Sequence, residues 1–344
     1  MGNRPGQRPT LKDIALKTGY SVNTVSRALR NMPDIAMETR EKIREVARSI
    51  GYHNNALASS LRLGRTNTIA VIIPDISNLF YAFALVEIER GAREQGYSTI
   101  LLNTSESGEF EHNAIRTALQ KNVDGIIFGP AQQSSENARM LLDSGTPFVL
   151  FARHFGDVDA DFVVGDDKLG GYQATMHLIE KGHRNIMLLN GLAAQNSSAQ
   201  GREAGYYAAH EAAGLRVQTA LVREVSLLGN DAGQQLMSML QRRPDITAVF
   251  AYSDLVALSA IAYLQEKGVR VPEDISIVGF DHIRAHINLP ISLATVDIKI
   301  REMATTALEC LLDKIEDGDS RKVLCQKFVQ TELVPGGTVR DIRT

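Results

Sequence analysis

Residues 10–29 read TLKDIALKTGYSVNTVSRAL, and this stretch decides the fold of the first part of the chain. Apolar residues three and four positions apart predict an amphipathic helix over residues 11–18. Gly19 ends that helix, and Ser21 is a favourable N-cap for a second helix over residues 22–30. Two short helices joined by a glycine-containing turn have the layout of a helix-turn-helix.

The exposed side of the second helix carries side chains suited to DNA. Because Val25 is expected to face the interior, the polar residues on the opposite side of the helix point outward. Asn23 can pair with adenine and Arg27 with guanine, each through two hydrogen bonds, although a capped surface helix would show a similar pattern. The small hydroxyl groups of Ser21 and Thr24 suit hydrogen bonds to phosphate oxygens. The residues predicted to contact DNA in this region are Thr10, Ser21, Val22, Asn23, Thr24, Ser26 and Arg27.

Charge separates this region from the rest of the chain. Residues 1–66 contain 12 Lys and Arg against 5 Asp and Glu, a net charge of +7. The remaining residues contain 25 against 35, a net charge of −10. A third helix is predicted over residues 38–50, so the head is all-α. Its basic charge suggests that it meets a polyanion, although charge alone also fits a merely soluble face.

From residue 68 onward, short and almost wholly apolar runs alternate with helical stretches. Strands without polar alternation are buried on both faces, which requires a parallel sheet covered by helices. At least eight such runs predict an α/β core of two doubly wound parallel-sheet lobes. The predicted strands are Ile69–Ile73, Ile100–Leu102, Gly125–Phe128, Phe148–Phe151, Phe162–Val164, Ile186–Leu189, Val249–Ala251 and Ile275–Val278.

Several function classes lack their sequence signals. The chain contains no phosphate loop, GxGxxG turn, HExxH or GxSxG motif, so we expect a binding protein without cofactor or metal, and not an enzyme. No apolar run is long enough to cross a bilayer and no signal peptide is evident, which predicts a cytoplasmic protein without a membrane partner. Cys310 and Cys325 lack both metal-ligand spacing and the density of a disulfide framework, which fits a reducing compartment.

Three further segments extend the pattern of residues 10–29. They are Thr39-Arg40, Ile50-Gly51-Tyr52 and the run ALASSLR at residues 56–62. With these segments the chain resembles the LacI–GalR family of bacterial transcription regulators, and the similarity covers essentially the entire chain. The resemblance implies a helix-turn-helix headpiece at 9–53, a hinge helix and linker at 54–66, and an effector-binding and dimerisation core at 67–344.

The resemblance implies that the hinge segment folds into a short helix on operator DNA. Leu61 matches the leucine that wedges into the minor groove, where a kinked step exposes the bases to an apolar side chain. Asn55 and Ala58 belong to the same DNA-contacting segment. Asn54 stands where the family usually has proline, which implies a looser entry to the hinge. An ordinary exposed leucine in a linker is the alternative for Leu61.

For the core, the resemblance implies two lobes like those of periplasmic sugar-binding proteins, with a ligand between them. One lobe is expected at about 68–165 plus 297–323, and the other at about 166–296 plus 324–344. Ligands bind beyond the carboxyl ends of parallel strands, which independently favours the loops after each strand. The expected effector-binding residues, which include aromatic walls, an arginine fork and an acidic acceptor, are Phe80, Tyr81, Arg153, Asn196, Ser198, Arg202, Ser253, Phe280 and Asp281.

Some of these positions leave alternatives open. Phe280 suits the core as well as the pocket, and Asp254 is more readily a helix cap than a ligand contact. An arginine and an aspartate facing a cleft suit a neutral polyhydroxylated ligand. Arg153 beside His154 fits an acidic sugar or a phosphate ester instead.

These features together predict a homodimeric transcription regulator, most readily a repressor, that binds a pseudo-palindromic operator. A small carbohydrate-like effector would alter operator affinity by favouring one arrangement of the lobes, which connects the protein to carbohydrate metabolism. A solute-binding or transport protein without DNA function is the main rival, and the basic head argues against it. An enzyme ranks third.

Overall fold

The computed structural model describes residues 9–52, 65–131, 134–225, 231–285, 287, 290–318 and 323–343. The chain divides into two compact units, at residues 1–66 and 67–344. None of the helices within the described ranges is long and apolar enough to cross a membrane.

The first unit is a three-helix head. Its helices are α1 Leu11–Thr18, α2 Val22–Leu29 and α3 Met37–Ser49. Thr10 is the N-cap residue of α1, and its backbone N–H and hydroxyl donate to the carboxylate of Asp13 in the first turn. Gly19 ends the helix at a φ of 77°, which glycine adopts without strain. One small apolar core joins the three helices, which confirms the predicted all-α head. Its buried side chains are Ile14, Val25, Ala28, Ile43 and Ala47.

The strands and helices of the second unit alternate along most of its length. Within the described residues, the strands are β1 Thr68–Ile73, β2 Ser98–Asn103, β3 Gly125–Phe128, β4 Phe148–Phe151, β5 Phe162–Gly165, β6 Ile186–Asn190, β7 Val222–Glu224, β8 Ala248–Ala251, β9 Ser276–Val278, β10 Thr295–Asp297, β11 Gln326–Val329 and β12 Glu332–Val334. The helices are α4 Leu79–Glu94, α5 Gly108–Gln120, α6 Glu136–Ser144, α7 Asp167–Glu180, α8 Ser197–Ala212, α9 Asp231–Arg242, α10 Asp254–Glu266 and α11 Ile300–Asp317.

Two parallel sheets form the centre of the second unit, which confirms the predicted α/β core. The first sheet has the strand order β11-β5-β4-β3-β1-β2, and the second has the order β7-β6-β8-β9. Every neighbouring pair in both sheets is parallel. Alternate residues of β1 enter different apolar cores: Ile69 and Val71 pack into one, and Ala70 and Ile72 into another. Both faces of the sheet are therefore buried at β1, as its apolar run predicts, whereas the edge strand β2 is only partly buried.

Strand β11 corrects the expected division between the lobes. The segment 324–344 was expected in the second lobe, whereas β11 pairs in parallel with β5 and extends the first sheet. The backbone N–H of Phe162 donates to the carbonyl of Cys325 at 2.9 Å, so the chain joins the open edge of β5 at this point. Only after β11 does the chain turn to pair β12 with β10 in an antiparallel ribbon.

Candidate functional site

In the head, the N-terminal end of α2 presents a polar surface. The hydroxyl of Ser21 accepts from the backbone N–H of Thr24 at 3.0 Å and caps the helix. Asn23 and Val22 are exposed, whereas Val25 on the opposite side is fully buried. The cap and the buried Val25 together fix which side chains face solvent.

Arg27 lies one turn further along α2 and forms an ion pair. Its Nη2 lies 2.5 Å from Oδ2 of Asp34, and the two side chains are 42% and 48% exposed. The hydrogen bond from Arg27 lowers the pKa of Asp34 below its ordinary value. Sequence reasoning identified Arg27 but not Asp34, which lies in the loop after the helix.

The predicted hinge contacts Asn55, Ala58 and Leu61 lie outside the described residues, as does Asn54. Their roles stay predictions.

In the second unit, a cavity of about 670 Å³ opens beyond the carboxyl ends of the strands of both sheets. Its lining comes from the loops after β1 to β4 and after β6 to β8, as expected for ligand sites of parallel sheets. The described lining residues are Asp75, Asn78, Ser105, Glu106, Ala131, Arg153, Leu192, Gln195, Asn196, Glu224, Val225, Ser253 and Leu255.

Arg153 lies in the wall of this cavity, and its guanidinium group is already paired with a carboxylate. Its two terminal nitrogens donate to the two carboxylate oxygens of Glu106 at 2.8 and 2.9 Å, and Nη1 also donates to the carbonyl of Pro130 at 3.1 Å. Arg153 is buried, while the Glu106 side chain is 42% exposed. This bidentate pair neutralises the charge that would attract an anionic ligand.

Arg202 lies in a buried cluster of charged and aromatic groups. Its Nε donates to Oδ1 of Asp167 at 2.8 Å, Nη1 donates to the carbonyl of Tyr252, and Nη2 lies 3.7 Å from Oδ1 of Asp281. The guanidinium carbon lies 3.7 Å from the ring centre of Phe280 and 4.3 Å from that of Tyr252. Phe280 is fully buried, so the structure favours the core alternative for this residue.

Asp281 follows β9 with an unusual backbone and a buried carboxyl group. Its φ is 98°, a region that L-residues rarely adopt. Burial raises the pKa of Asp281 well above its ordinary value, although Arg202 opposes this shift. Burial likewise raises the pKa of Asp167. The cluster thus holds two carboxyl groups around one guanidinium, both with a weakened tendency to ionise.

The loop before α8 links residues from the two halves of the cavity. The side-chain oxygen of Asn196 accepts from the backbone N–H groups of Ser198 and Ala199 and caps α8. Nδ2 of Asn196 donates to the hydroxyl of Tyr252 at 3.1 Å. The hydroxyl of Ser198 donates to the carbonyl of Ala152 at 3.1 Å, which joins the start of α8 to the loop after β4.

Ser253, and not Asp254, caps α10. The hydroxyl of Ser253 accepts from the backbone N–H of Val256, and Ser253 also lines the cavity. Asp254 is fully buried and accepts from the hydroxyl of Thr295 at 2.6 Å and from the backbone N–H of Ile283 at 2.8 Å. The cap interpretation of Asp254 is therefore wrong, because this carboxylate ties the loop after β9 to β10.

The expected aromatic walls are not part of the described lining. Phe80 and Tyr81 are buried, and the Phe80 ring stacks on Phe151 with 5.9 Å between ring centres. Burial raises the pKa of the Tyr81 hydroxyl. Among the described lining residues no aromatic side chain occurs.

Cys310 and Cys325 lie next to each other in the structure. They form a disulfide between α11 and the residue before β11, with 6.3 Å between their Cα atoms. The 15-residue separation gave no signal for this pairing, which depends on α11 packing beside the start of β11. In a reducing compartment the same geometry holds two neighbouring thiols. In the part of the chain that the structure describes, no group of three or more His, Cys, Asp or Glu could hold a metal ion.

Two sequence models of protein families match successive parts of the chain. The model described as "Bacterial regulatory proteins, lacI family" matches residues 10–55. The model described as "Periplasmic binding proteins and sugar binding domain of LacI family" matches residues 66–332.

Individual proteins are similar to almost the whole chain. The HTH-type transcriptional repressor PurR of Vibrio atlanticus (strain LGP32) is 32% identical over 338 residues, which are 97% of this chain and 99% of that protein. A complex of the transcriptional regulator CelR with cellobiose is 28% identical, with a TM-score of 0.72 over 96% of this chain and 100% of that one. The lac repressor dimer bound to operator and the anti-inducer ONPF shares the fold, with 24% identity and a TM-score of 0.86 over 97% and 100% of the two chains.

Proposed function

This chain belongs to the LacI family of bacterial regulatory proteins, and we propose that it is a repressor controlled by a neutral, carbohydrate-like effector. Family membership makes the protein a DNA-binding transcriptional regulator and not an enzyme. The proposal further comprises a cytoplasmic homodimer on a pseudo-palindromic operator, with the head at 9–53 and the core at 67–344. The segment 54–66 is proposed as the hinge.

The proposed reading of bases rests on the exposed start of α2. Ser21 caps the helix, so the backbone that carries Asn23 is fixed before DNA arrives. An exposed amide and a partly exposed guanidinium one turn apart suit the edges of adenine and guanine in the major groove. We assign Asn23 and Arg27 to base contacts, and the hydroxyl groups of Ser21 and Thr24 to phosphates.

The excess of negative charge in the cavity wall is the main support for the proposal of a neutral effector. Asp75, Glu106 and Glu224 place three carboxylates in the described lining, against the single guanidinium of Arg153. Because Glu106 occupies the Arg153 fork, a phosphate or carboxylate ligand would meet net negative charge. Hydroxyl groups can instead donate to these carboxylates. A volume of about 670 Å³ is in the range of small-molecule sites.

An acidic ligand would also find no positive charge on His154, the second basic residue considered for it. The His154 ring packs against Phe162, with 4.7 Å between ring centres, and burial lowers the pKa of His154. A neutral imidazole offers no positive charge to a phosphate ester. The described lining also provides no flat aromatic face, so a planar heteroaromatic ligand would lack a stacking partner.

The proposed control works through the two-sided wall of the cavity. The loops after the first sheet and those after the second both supply lining residues, so a ligand contacts both halves at once. Such a ligand favours the arrangement of the halves in which all contacts are made, to the extent of its differential affinity. The loop contact between Ser198 and Ala152 is one of the links that this change would strengthen or break.

A paired ligand screen tests the effector class. Neutral mono- and disaccharides would each be compared with the matching phosphate ester or uronic acid, at equal concentration, by thermal unfolding. We expect at least one neutral sugar to raise Tm, since a ligand at 100 times its Kd stabilises the folded state by about 2.7 kcal/mol. A rise in Tm with anionic partners alone would contradict the neutral effector. Mobility shifts on a duplex selected from a random pool then test whether the same sugar releases DNA.

A further inference from the structure

The partner of Arg27 lies in a loop whose position is fixed by the head itself. The backbone N–H of Met32 donates to the carbonyl of Arg27 at 3.1 Å, and that of Ile35 donates to the carbonyl of Met32 at 3.2 Å. Ile35 packs against the small core of the head. Asp34 is thus held between two anchored residues, so its carboxylate faces Arg27 before any ligand is bound.

The ion pair occupies only part of the guanidinium. Arginine has five N–H donors, and Asp34 contacts Nη2, while Nε is buried without a hydrogen-bond partner. Since Nε is buried and Asp34 contacts Nη2, the donors that remain for a base edge are those of Nη1 and the second N–H of Nη2.

We propose that Asp34 is a positioning residue that sets operator specificity by holding Arg27 toward a guanine edge. This inference rests on the proposed DNA-reading role of Arg27. An arginine without a partner binds phosphates as well as bases, and phosphate contacts carry no sequence information. A carboxylate beside the guanidinium repels phosphates and restricts the side chain to fewer rotamers. Asp34 therefore lowers affinity for all DNA while it raises the preference for the correct base pair.

The test compares two variants that remove the same charge from the head. Asp34→Asn keeps the shape of the side chain but loses the ion pair. Glu41→Gln is the matched control, because Glu41 is exposed on α3 of the same head. Binding of the full-length protein is measured at fixed salt on a duplex selected from a random pool, on its single-base variants and on an unrelated duplex. A further duplex carries 7-deazaguanine, which lacks the N7 acceptor, at each guanine in turn.

Both variants should bind the unrelated duplex more tightly, because each loses one negative charge. Only Asp34→Asn should reduce the ratio of specific to unrelated binding, by about fivefold to tenfold, with the loss confined to one base pair in each half-site. In the parent, 7-deazaguanine at that position should weaken binding. In Asp34→Asn, 7-deazaguanine at that position should weaken binding less than it does in the parent. In an Arg27→Ala background, Asp34→Asn should leave base preference unchanged, since the two residues act as one unit.

Three results would overturn the inference in different ways. An unchanged specificity ratio in Asp34→Asn, with a gain in affinity equal to that of Glu41→Gln, would show that Asp34 acts as charge alone. Unchanged base preference in Arg27→Ala would instead remove the DNA-reading role on which the inference rests. If the random pool yields no preferred duplex, sequence-specific binding itself is wrong and the inference falls with it.

Discussion

Asp281 is a buried carboxyl group beside Arg202 and lies outside the described lining of the cavity. It is 5% exposed, and its pKa is raised by burial although Arg202 lies 3.7 Å away. A raised pKa means that the folded chain binds a proton more tightly than the unfolded chain. The stabilisation from this proton is complete below the ordinary pKa of 3.8 and is lost as the pH rises through the folded-state pKa.

Asp281→Asn should therefore stabilise the ligand-free protein increasingly as the pH rises above 4, because the folded state no longer holds a buried carboxyl group that ionises. Asparagine cannot ionise and tolerates positive φ, so the backbone at 98° is retained. Urea unfolding from pH 4 to 8 measures the difference, which should grow with pH. Asp274→Asn is the control of opposite sign, because Arg270 lowers the pKa of Asp274 to about 2. Equal stability of parent and Asp281→Asn across this range would contradict the assignment of a raised pKa.

Glu106 illustrates which site residues the sequence did not reveal. Arg153 follows an apolar strand, so its place at the carboxyl end of a sheet was predictable. Glu106 reaches it from the loop after β2, where Ser105 and Glu106 both have positive φ, at 51° and 55°. Nothing in the local sequence signals that turn, because neither residue is glycine. The cavity's charge, and with it the choice between neutral and anionic ligands, therefore required the structure.

At the scale of elements, α7 and α8 cross closely because glycines lie at the contact. A Cβ on Gly205 would lie 2.2 Å from the carbonyl oxygen of Lys168 and 2.5 Å from the backbone nitrogen of Tyr172. These are backbone atoms, so the two helices would have to separate. That contact also brings Asp167, at the start of α7, to Arg202 on α8.

Gly205→Ala should destabilise the protein by about 2 kcal/mol, because the overlap outweighs the gain of roughly 1 kcal/mol from replacing a helical glycine by alanine. Gly156→Ala is the matched control, since a Cβ there would meet nothing within 4 Å. Chemical denaturation of both variants measures the effect. A Gly205→Ala protein as stable as Gly156→Ala would show that the helices can separate without cost.

Helix ends and apolar strands were predictable where local chemistry decides them. The bounds of α1 match the prediction, because the Thr10 cap and Gly19 act within a few residues. The strands β7, β10 and β12 have only three residues each and lack a continuous apolar run, so the pattern of buried strands did not reveal them. The pairing of β11 with β5 depends on contacts about 160 residues apart in the chain, which no local pattern encodes.

At the scale of the whole molecule, an exposed apolar edge supports the proposed homodimer. Strand β2 ends the first sheet and pairs on one side only, with β1. Exposed apolar side chains lie on β2 and on the two helices that contact it: Val86 on α4 is 60% exposed, Leu101 is 38% exposed and Phe110 on α5 is 54% exposed. Apolar groups of this size around an open sheet edge are typical of a surface covered by a partner.

Val86→Glu combined with Leu101→Glu should shift the protein toward monomer, because two carboxylates would be buried without partners in the interface. Sedimentation velocity over a range of concentrations measures the change. The control is Leu142→Glu on α6, which alters a side chain of similar exposure, 44%, away from β2. If the dissociation constant of the dimer is unchanged in the double variant, the interface lies elsewhere.

Regulation by an effector makes a quantitative prediction that involves the complete chain. The residues proposed to read bases belong to one compact unit and the cavity to the other, so the two sites share no residues. Any effect of one ligand on the other must therefore be a coupling free energy, which is typically about 1–3 kcal/mol, or roughly 5–150-fold in affinity. Thermodynamic linkage requires that the factor by which the sugar weakens operator binding equals the factor by which operator weakens sugar binding.

Calorimetric titration of the sugar into free protein and into the protein–duplex complex gives one factor, and anisotropy titrations of the duplex with and without sugar give the other. We expect the two factors to agree and to exceed five. A sugar that binds the cavity with both factors equal to one would show that the core does not control the head, and the protein would then be a DNA-binding protein with an unconnected sugar site.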